Sequence, residues 1–293
     1  MIRQIGNVLF FLCFAATLCG QEIDLATAKQ ITFEQGDDNC PAWSPDGTKI
    51  AFQTNRNGTW DIYCYDLNQE CVFPLVSGQF NYQHPVWFPD GKSVVFDSDS
   101  LEIETLFSYQ LTDRKIRRLF KRLIRCREAS FASSARQVYF SGFDKTSTEW
   151  QIYSYDFIYD NLNQLTFSKS GCMDPQVAPD GKHLMFVQSG TSFESASIPF
   201  INWYGEESHR LDSLNAQNTC WHPNGLKIYF VSDRDESGGE LYSIWENGTH
   251  LERITCDSLE IQQPAISPDG KKLALAINGA LGLKLYLIQL SEE

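Results

Sequence analysis

Hydrophobic and polar positions alternate along this chain in short runs, and the runs come back. The clearest, Pro41-Ala-Trp-Ser-Pro-Asp-Gly-Thr-Lys-Ile-Ala-Phe52, recurs as Pro85-Val-Trp-Phe-Pro-Asp-Gly-Lys-Ser-Val-Val-Phe96 and Pro264-Ala-Ile-Ser-Pro-Asp-Gly-Lys-Lys-Leu-Ala-Leu275. Looser copies start at Ala129, Pro175 and Thr219, so the starts are 41, 85, 129, 175, 219 and 264, a period of 44 to 46 residues. A period of that length filled with several short strands predicts a propeller of four-stranded blades. The fold expected is therefore all-β, a six-bladed β-propeller of antiparallel blades.

Within a repeat, residues 41–44 read as the innermost strand, and Pro-Asp-Gly supplies a tight turn by presetting one φ and allowing a positive one. A second strand follows at 49–54, a third at 61–67 and a fourth at 71–76. Lys29-Gln-Ile-Thr-Phe33 resembles Asn163-Gln-Leu-Thr-Phe167 and Glu252-Arg-Ile-Thr-Cys256, each with its Thr nine residues before the next repeat. This N-terminal piece is thus an outer strand without a blade, while the last repeat ends near Leu290 without its fourth strand. The N-terminal strand should complete the last blade and close the ring. The apolar residue ending each second strand (Phe52, Phe96, Phe140, Phe186, Phe230, Leu275) reads as packing between blades. Trp43, Trp87 and Trp221 face small residues of the neighbouring blade and read as core.

Two repeats are irregular. The third replaces its turn with Ala132-Ser-Ser-Ala135, and the fourth carries Pro199 in its third strand, where the missing N–H should weaken pairing. Ile116, Leu119, Phe120, Leu123 and Ile124 follow helical spacing, yet the repeat register puts residues 116–120 on an outer strand, and we follow the register.

The ends and the charge add to this picture. Residues 1–20 combine Arg3, an apolar run from Val8 to Leu18 and a small-residue exit, which reads as a secretory signal too short to span a bilayer. The domain division expected is a signal peptide at 1–20 and one propeller at 21–293. Cys19 raises a lipid-anchored alternative, although Leu18 stands where such a signal wants a small residue. The chain carries 24 basic and 37 acidic residues for a formal net charge of -13, which argues against nucleic acid as a ligand. One stretch runs the other way: Arg114, Lys115, Arg117, Arg118, Lys121, Arg122, Arg125 and Arg127. It reads either as a solvated outer strand and loop or as a docking patch for an acidic partner or anionic lipid headgroups.

Seven cysteines follow the signal, an odd number with no Cys-x-x-Cys spacing. Cys64 and Cys71 are equidistant from the middle of Asp66-Leu-Asn-Gln69, so a symmetric hairpin would set them opposite each other as a cross-strand disulfide. No nucleophile elbow, zinc-binding helix or phosphate loop occurs. Asp233-Arg-Asp235-Glu236 lacks the spaced ligands of a calcium loop, and Asn57-Gly-Thr59 and Asn247-Gly-Thr249 read first as turns. The five histidines fall at different repeat positions. No metal, cofactor or catalytic set is expected. One constellation is positional: the residues just before the inner strands, Cys40, His84, Glu128, Asp174, Asn218 and Gln263, should surround the mouth of the central channel on the face carrying the blade-to-blade loops. With Arg127 beside them they form a polar ring, either a hydrated mouth or a binding site.

The Ser-Pro-Asp-Gly turns, the Asp-Ile-Tyr and Gln-Ile-Tyr third strands and the Leu-Thr outer strands make residues 24–290 resemble the propeller of the TolB family, built from WD-like repeats. That resemblance implies a periplasmic or secreted bacterial cell-envelope module, without the α/β domain that precedes the propeller in that family, acting as a monomer that binds a protein or other envelope component. Two functions stay open: a non-catalytic binding propeller, with the Arg-rich edge as a second contact, and a propeller enzyme acting on a glycan or uronate through His84, Glu128, Asp174 and Arg127.

Overall fold

In a computed structural model, the repeat becomes a blade through three local devices. The structure describes residues 28–121, 124–144, 147–190, 195–235, 238–255 and 260–290; the expected leader with Cys19, Arg122 and Cys256 lie outside them. The first device is the turn between the two inner strands of a blade. Gly47, Gly91, Gly181, Gly225 and Gly270 take φ values of 64 to 73° there, and in the third repeat Ala135 is held at 54° instead. A side chain at such φ is strained, so the third turn keeps the shape without the glycine that suits it.

The second device is the outer-strand threonine. Thr32, Thr166 and Thr255 are buried, and their Oγ1 atoms accept the backbone N–H of Leu285, Ile152 and Leu241 at 3.0, 2.8 and 3.0 Å. Each of these threonines, preceded by Ile31, Leu165 or Ile254, therefore satisfies a buried donor of the third strand. The third device is the tryptophan. Trp43, Trp87 and Trp221 each donate Nε1–H to a backbone carbonyl of the preceding blade, that of Ala265, Ala42 and Gln176, at 2.9, 3.1 and 3.3 Å. They fasten blade to blade, as core residues with their polar atom satisfied.

The strands follow in sequence order. After β1 (Lys29–Gln30), the first blade holds β2 (Asp38–Trp43), β3 (Lys49–Thr54), β4 (Asp61–Asp66) and β5 (Cys71–Val76). The second holds β6 (Tyr82–Trp87), β7 (Ser93–Ser98), β8 (Thr105–Gln110) and β9 (Lys115–Arg118), and the third β10 (Arg125–Phe131), β11 (Gln137–Phe143), β12 (Gln151–Asp156) and β13 (Asn161–Gln164). The fourth holds β14 (Cys172–Val177), β15 (His183–Gln188), β16 (Ile198–Asn202) and β17 (Glu207–Leu211), and the fifth β18 (Ala216–Trp221), β19 (Lys227–Ser232), β20 (Glu240–Trp245) and β21 (Glu252–Arg253). The sixth is β22 (Ile261–Ile266), β23 (Lys272–Gly279) and β24 (Gly282–Gln289), completed by β1. Lys29 pairs with Leu287 and Gln30 with Tyr286, so the N-terminal strand closes the ring as its sequence requires.

An apolar cluster fills each gap between neighbouring blades, and the repeated Phe52, Phe96, Phe140, Phe186, Phe230 and Leu275 are all 3% exposed or less. Ring closure adds a charge network: Lys284 and Asp38, 3% and 1% exposed at their side chains, lie 3.6 Å apart, and Arg56 meets the same carboxylate at 2.9 Å. The Arg-rich segment forms an outer strand in the place the register gives, but at Lys115–Arg118 and so two residues short of the expected end at 120. Its helical-looking spacing arises because Phe120 and Ile124 leave the strand and fold into the cluster between the second and third blades. Pro199 acts as its missing N–H predicts: β15 pairs β16 only from His183 to Met185, and contact returns at a single bridge between Gln188 and Ser197. Among the described residues no helix is long and apolar enough to cross a membrane.

One expected pairing does not form. β4 and β5 pair Asp66 with Cys71 and Cys64 with Phe73, because the turn is centred one residue later than the pairing of the two cysteines needs, which moves the partner of Cys64 by two residues. Cys64 and Cys71 are therefore not opposite each other, and both are free thiols. Burial pushes the Cys64 thiol up to about 12, which leaves it unreactive at neutral pH.

Candidate functional site

The six ring residues sit inside the inner strands, about midway along them, and not ahead of them. Each strand starts three or four residues earlier than the repeat alone indicates and then bulges: the register slips between Asn39 and Ala42, Gln83 and Val86, Arg127 and Ser130, Met173 and Gln176, Gln217 and Cys220, and Gln262 and Ala265. At every bulge one non-glycine residue turns left-handed: Cys40, His84, Glu128, Asp174, Asn218 and Gln263 have φ between 47 and 56°. Four of them precede proline, which has no N–H to give a ladder and so suits the unpaired place in a bulge. Left-handed non-glycine residues cost about 1–2 kcal/mol each, and six in one ring is strain concentrated where the blades converge.

The ring is tied together by side chains of one blade accepting backbone N–H groups of the next. Gln263 Oε1 accepts from Cys40 at 2.8 Å, Gln53 Oε1 from His84 at 2.8 Å and Asp97 Oδ1 from Glu128 at 3.4 Å. Glu128 Oε2 accepts from Asp174 at 3.0 Å, and Asp174 Oδ2 from Thr219 at 2.9 Å. Gln53, Asp97 and Ser141 are partners that the sequence reading missed. They hold one repeat position, the residue after the packing phenylalanine, which is polar in the first three blades and Val187, Val231 and Ala276 in the others. That change of character is the signal that would have found them.

The charged half of the ring lies on the second to fourth blades. His84 Nδ1 lies 2.9 Å from Asp97 Oδ1. Burial alone would lower the imidazole, but the Asp97 charge and hydrogen bond outweigh it and raise it to about 9, so His84 is protonated at neutral pH. Burial pushes Asp97 up from the ordinary carboxylate range, with the imidazolium pulling it back. Burial, with the charge of Glu128 added, lifts Asp174 to about 6. The Cys40 thiol is raised well above its ordinary range by burial and by Asp97, Glu128 and Asp174. Among the described residues no group of three His, Cys, Asp or Glu side chains is disposed to hold a metal ion.

The ring residues line a cavity of about 410 Å³ at the centre of the propeller. Its walls are Trp43, Trp87 and Trp221, the bulge prolines Pro41, Pro85 and Pro264 and the second residue of each sequence repeat, from Ala42 to Ala265, down to Pro45 and Pro268 in the turns. The cavity therefore extends from the ring towards the end carrying the inner hairpin turns, and not towards the blade-to-blade loops as the sequence led us to expect. Arg127 is not part of its lining. It leaves the ring on the other side, with its Cζ 4.3 Å from the centre of the Trp150 ring.

The basic segment is partly neutralised. Arg117 pairs with Asp113 at 2.5 Å and Arg125 with Glu104 at 3.0 Å, while Lys121 is exposed and Arg118 makes contacts of its own. The residues singled out from the sequence thus fall into two places, the ring and the outer edge of the second blade, with Arg125 and Arg127 between them.

Comparison with known proteins fits this architecture. A family model described as the TolB beta propeller domain matches residues 15–119. Over that stretch the sequence is similar to a TolB-type β-propeller. A TolB homologue of Chlorobium chlorochromatii is 30% identical over 125 residues, which cover 42% of this chain and 28% of that protein. Across the curated relatives that match, the shared stretch spans 14 to 28% of their own length. The crystal structure of TolB from Acinetobacter baumannii superposes with a TM-score of 0.64 at 18% identity, covering 88% of this chain and 64% of that one. A gluconolactonase from Xanthomonas campestris superposes with a TM-score of 0.70 at 12% identity, covering 93% and 91%. The propeller therefore shares its fold with a TolB protein and with a gluconolactonase.

Proposed function

We propose that this TolB-type propeller is a non-catalytic binding module of the bacterial cell envelope that holds a protein or envelope component over its central cavity. The observation that carries this reading is that every blade gives one strained, left-handed residue to a single ring flooring a cavity of about 410 Å³. Binding sites draw on such concave, mostly apolar spaces with a few convergent polar groups. The resemblance to TolB proteins supports an envelope role, and the leader read at residues 1–20 supports export to the periplasm or beyond, with anchoring at Cys19 as the alternative. In this reading the protein acts as a monomer, without cofactor or metal, and nucleic acid is not its ligand.

An affinity pull-down from envelope extract tests it, comparing wild type with a variant in which His84, Glu128 and Asp174 are changed to Ala. Loss of a specific partner in the variant supports binding at the ring, and identical recovery removes the ring as the binding site.

A second reading, an enzyme acting on a glycan or uronate, is favoured by one observation: the His84 imidazolium and the Asp174 carboxyl, raised to about 6, could act as acids beside Glu128. Against a uronate substrate, Glu128 and Asp174 would repel its carboxylate. Turnover of oligouronates, or a stoichiometric transition metal in the purified protein, would move the assignment to the enzyme.

A further inference from the structure

On the side of the ring away from the cavity, two guanidinium groups flank one indole. The Cζ atoms of Arg125 and Arg127 lie 5.0 and 4.3 Å from the centre of the Trp150 ring. This follows from strand geometry: Arg125 and Arg127 are alternate residues of β10 and point to one side, and Trp150 directly precedes β12 in the same blade. Stacking on an aromatic face holds arginine in place while leaving its in-plane N–H groups free to bond.

Those N–H groups are poorly engaged. Arg125 donates Nε–H to Glu104 Oε2 at 3.0 Å. Arg127 donates one terminal N–H to the Met173 sulfur at 3.1 Å, a weak acceptor. Its Nε is buried without a hydrogen-bond acceptor, with Glu128 Oε1 at 3.4 Å as an ion-pair partner. Buried polar groups are normally satisfied, so Arg127 is a preset guanidinium short of acceptors, and Arg125, about half exposed, stands beside it.

We infer that Arg125, Trp150 and Arg127 form a docking site for an acidic segment of a partner protein, with the guanidinium groups taking its carboxylate. The inference rests on the reading that this propeller binds proteins, but it places a separate contact on the other side of the ring from the cavity. Guanidinium forks match carboxylates bidentately, and arginine and tryptophan are the residues most enriched at the energetic centres of protein interfaces. The choice of a protein over a sugar acid follows from shape. None of the three residues lines the central cavity, and a half-exposed stacked arginine presents an open surface, whereas small ligands are held in concave sites.

The test uses the full mature chain and two soluble random octapeptide libraries, one containing Asp and Glu and one lacking both, blocked at both ends. The inference predicts enrichment from the acidic library alone, and at least tenfold weaker binding of the enriched peptides to Arg127→Gln and to Trp150→Ala. Arg127→Lys, which keeps the charge but not the planar fork, should also lose at least threefold. Arg125→Gln and Trp150→Phe serve if either stronger variant melts below wild type. Equal enrichment from both libraries, or acidic peptides that bind every variant like wild type, overturns the site. Polygalacturonate displacing the peptides at lower concentration than the peptides themselves overturns the ligand class. Asp174→Asn separates the two proposals. Peptide binding lost only there sinks this inference and leaves the cavity reading standing, while binding lost only in the arginine and tryptophan variants supports this inference and leaves the cavity reading to its own pull-down.

Discussion

Replacing Asp174 with Asn should make the folded protein more stable at neutral pH. Asp174 is held in the ring next to Glu128, and burial, then that neighbouring charge, raise its carboxyl from an ordinary 3.8 to about 6. A carboxyl raised on folding stabilises the folded state only while protonated. That contribution is complete below pH 3.8 and is lost as pH rises through about 6. The rise corresponds to about 3 kcal/mol between the two plateaus, and because Asp174 is partly exposed to the cavity, solvent screening makes this an upper bound. Asn keeps the acceptor for the Thr219 N–H, now 2.9 Å from Asp174 Oδ2, and Gln176, whose Nε2 donates to Oδ1 at 2.8 Å, can turn its amide to accept instead. Urea denaturation at intervals from pH 4 to pH 8 should therefore find the variant close to wild type at pH 4 and about 1–3 kcal/mol more stable at pH 7. A variant equal to wild type or weaker at pH 7 would refute the claim that the ring holds an unfavourable charge.

Other perturbations follow from the same structure. Ala135→Gly should stabilise the protein by about 1 kcal/mol, read as a rise in Tm, since alanine occupies the left-handed place that glycine fills in five other turns. Lys284→Met should cost about 3 kcal/mol in urea denaturation, because it leaves the buried Asp38 carboxylate with Arg56 as its remaining cation and weakens ring closure. Thr255→Val should cost about 2 kcal/mol in the same assay, by removing the acceptor of the buried Leu241 N–H and a partner of Glu240. In unreduced protein, Cys71 should be alkylated in the native state and Cys64 only after unfolding; finding either thiol blocked in the unfolded, unreduced chain would contradict the observed register.

The propeller was legible in the chain because each repeat carries its own punctuation. Pro-Asp-Gly fixes a turn, Phe96 and its counterparts fix the packing layer, and the nine-residue spacing from Thr32 to Pro41 reveals a strand belonging to the far end of the chain. The ring was legible as a set of positions but not as a geometry. Nothing local in Cys40-Pro41 or His84-Pro85 announces a left-handed bulge, which arises only when the inner strands are squeezed together around the axis. The cavity's end, and the departure of Arg127 towards Trp150, depend on which way those bulges turn their side chains. The expected pairing of Cys64 and Cys71 failed for a related reason, since a symmetric reading of Asp66 to Gln69 misplaced the turn that sets the register of β4 and β5.

Site-specific photocrosslinking in the producing cells reads out what sits over the cavity. A benzophenone amino acid would be placed at Ala42, on the cavity wall, and in a second strain at Arg114, in the turn joining the outer two strands of the second blade. Binding at the cavity should give a discrete crosslinked partner from position 42 that is absent from position 114 and disappears when His84, Glu128 and Asp174 are also replaced by Ala. A partner captured from position 114 and never from position 42 would contradict binding at the central cavity.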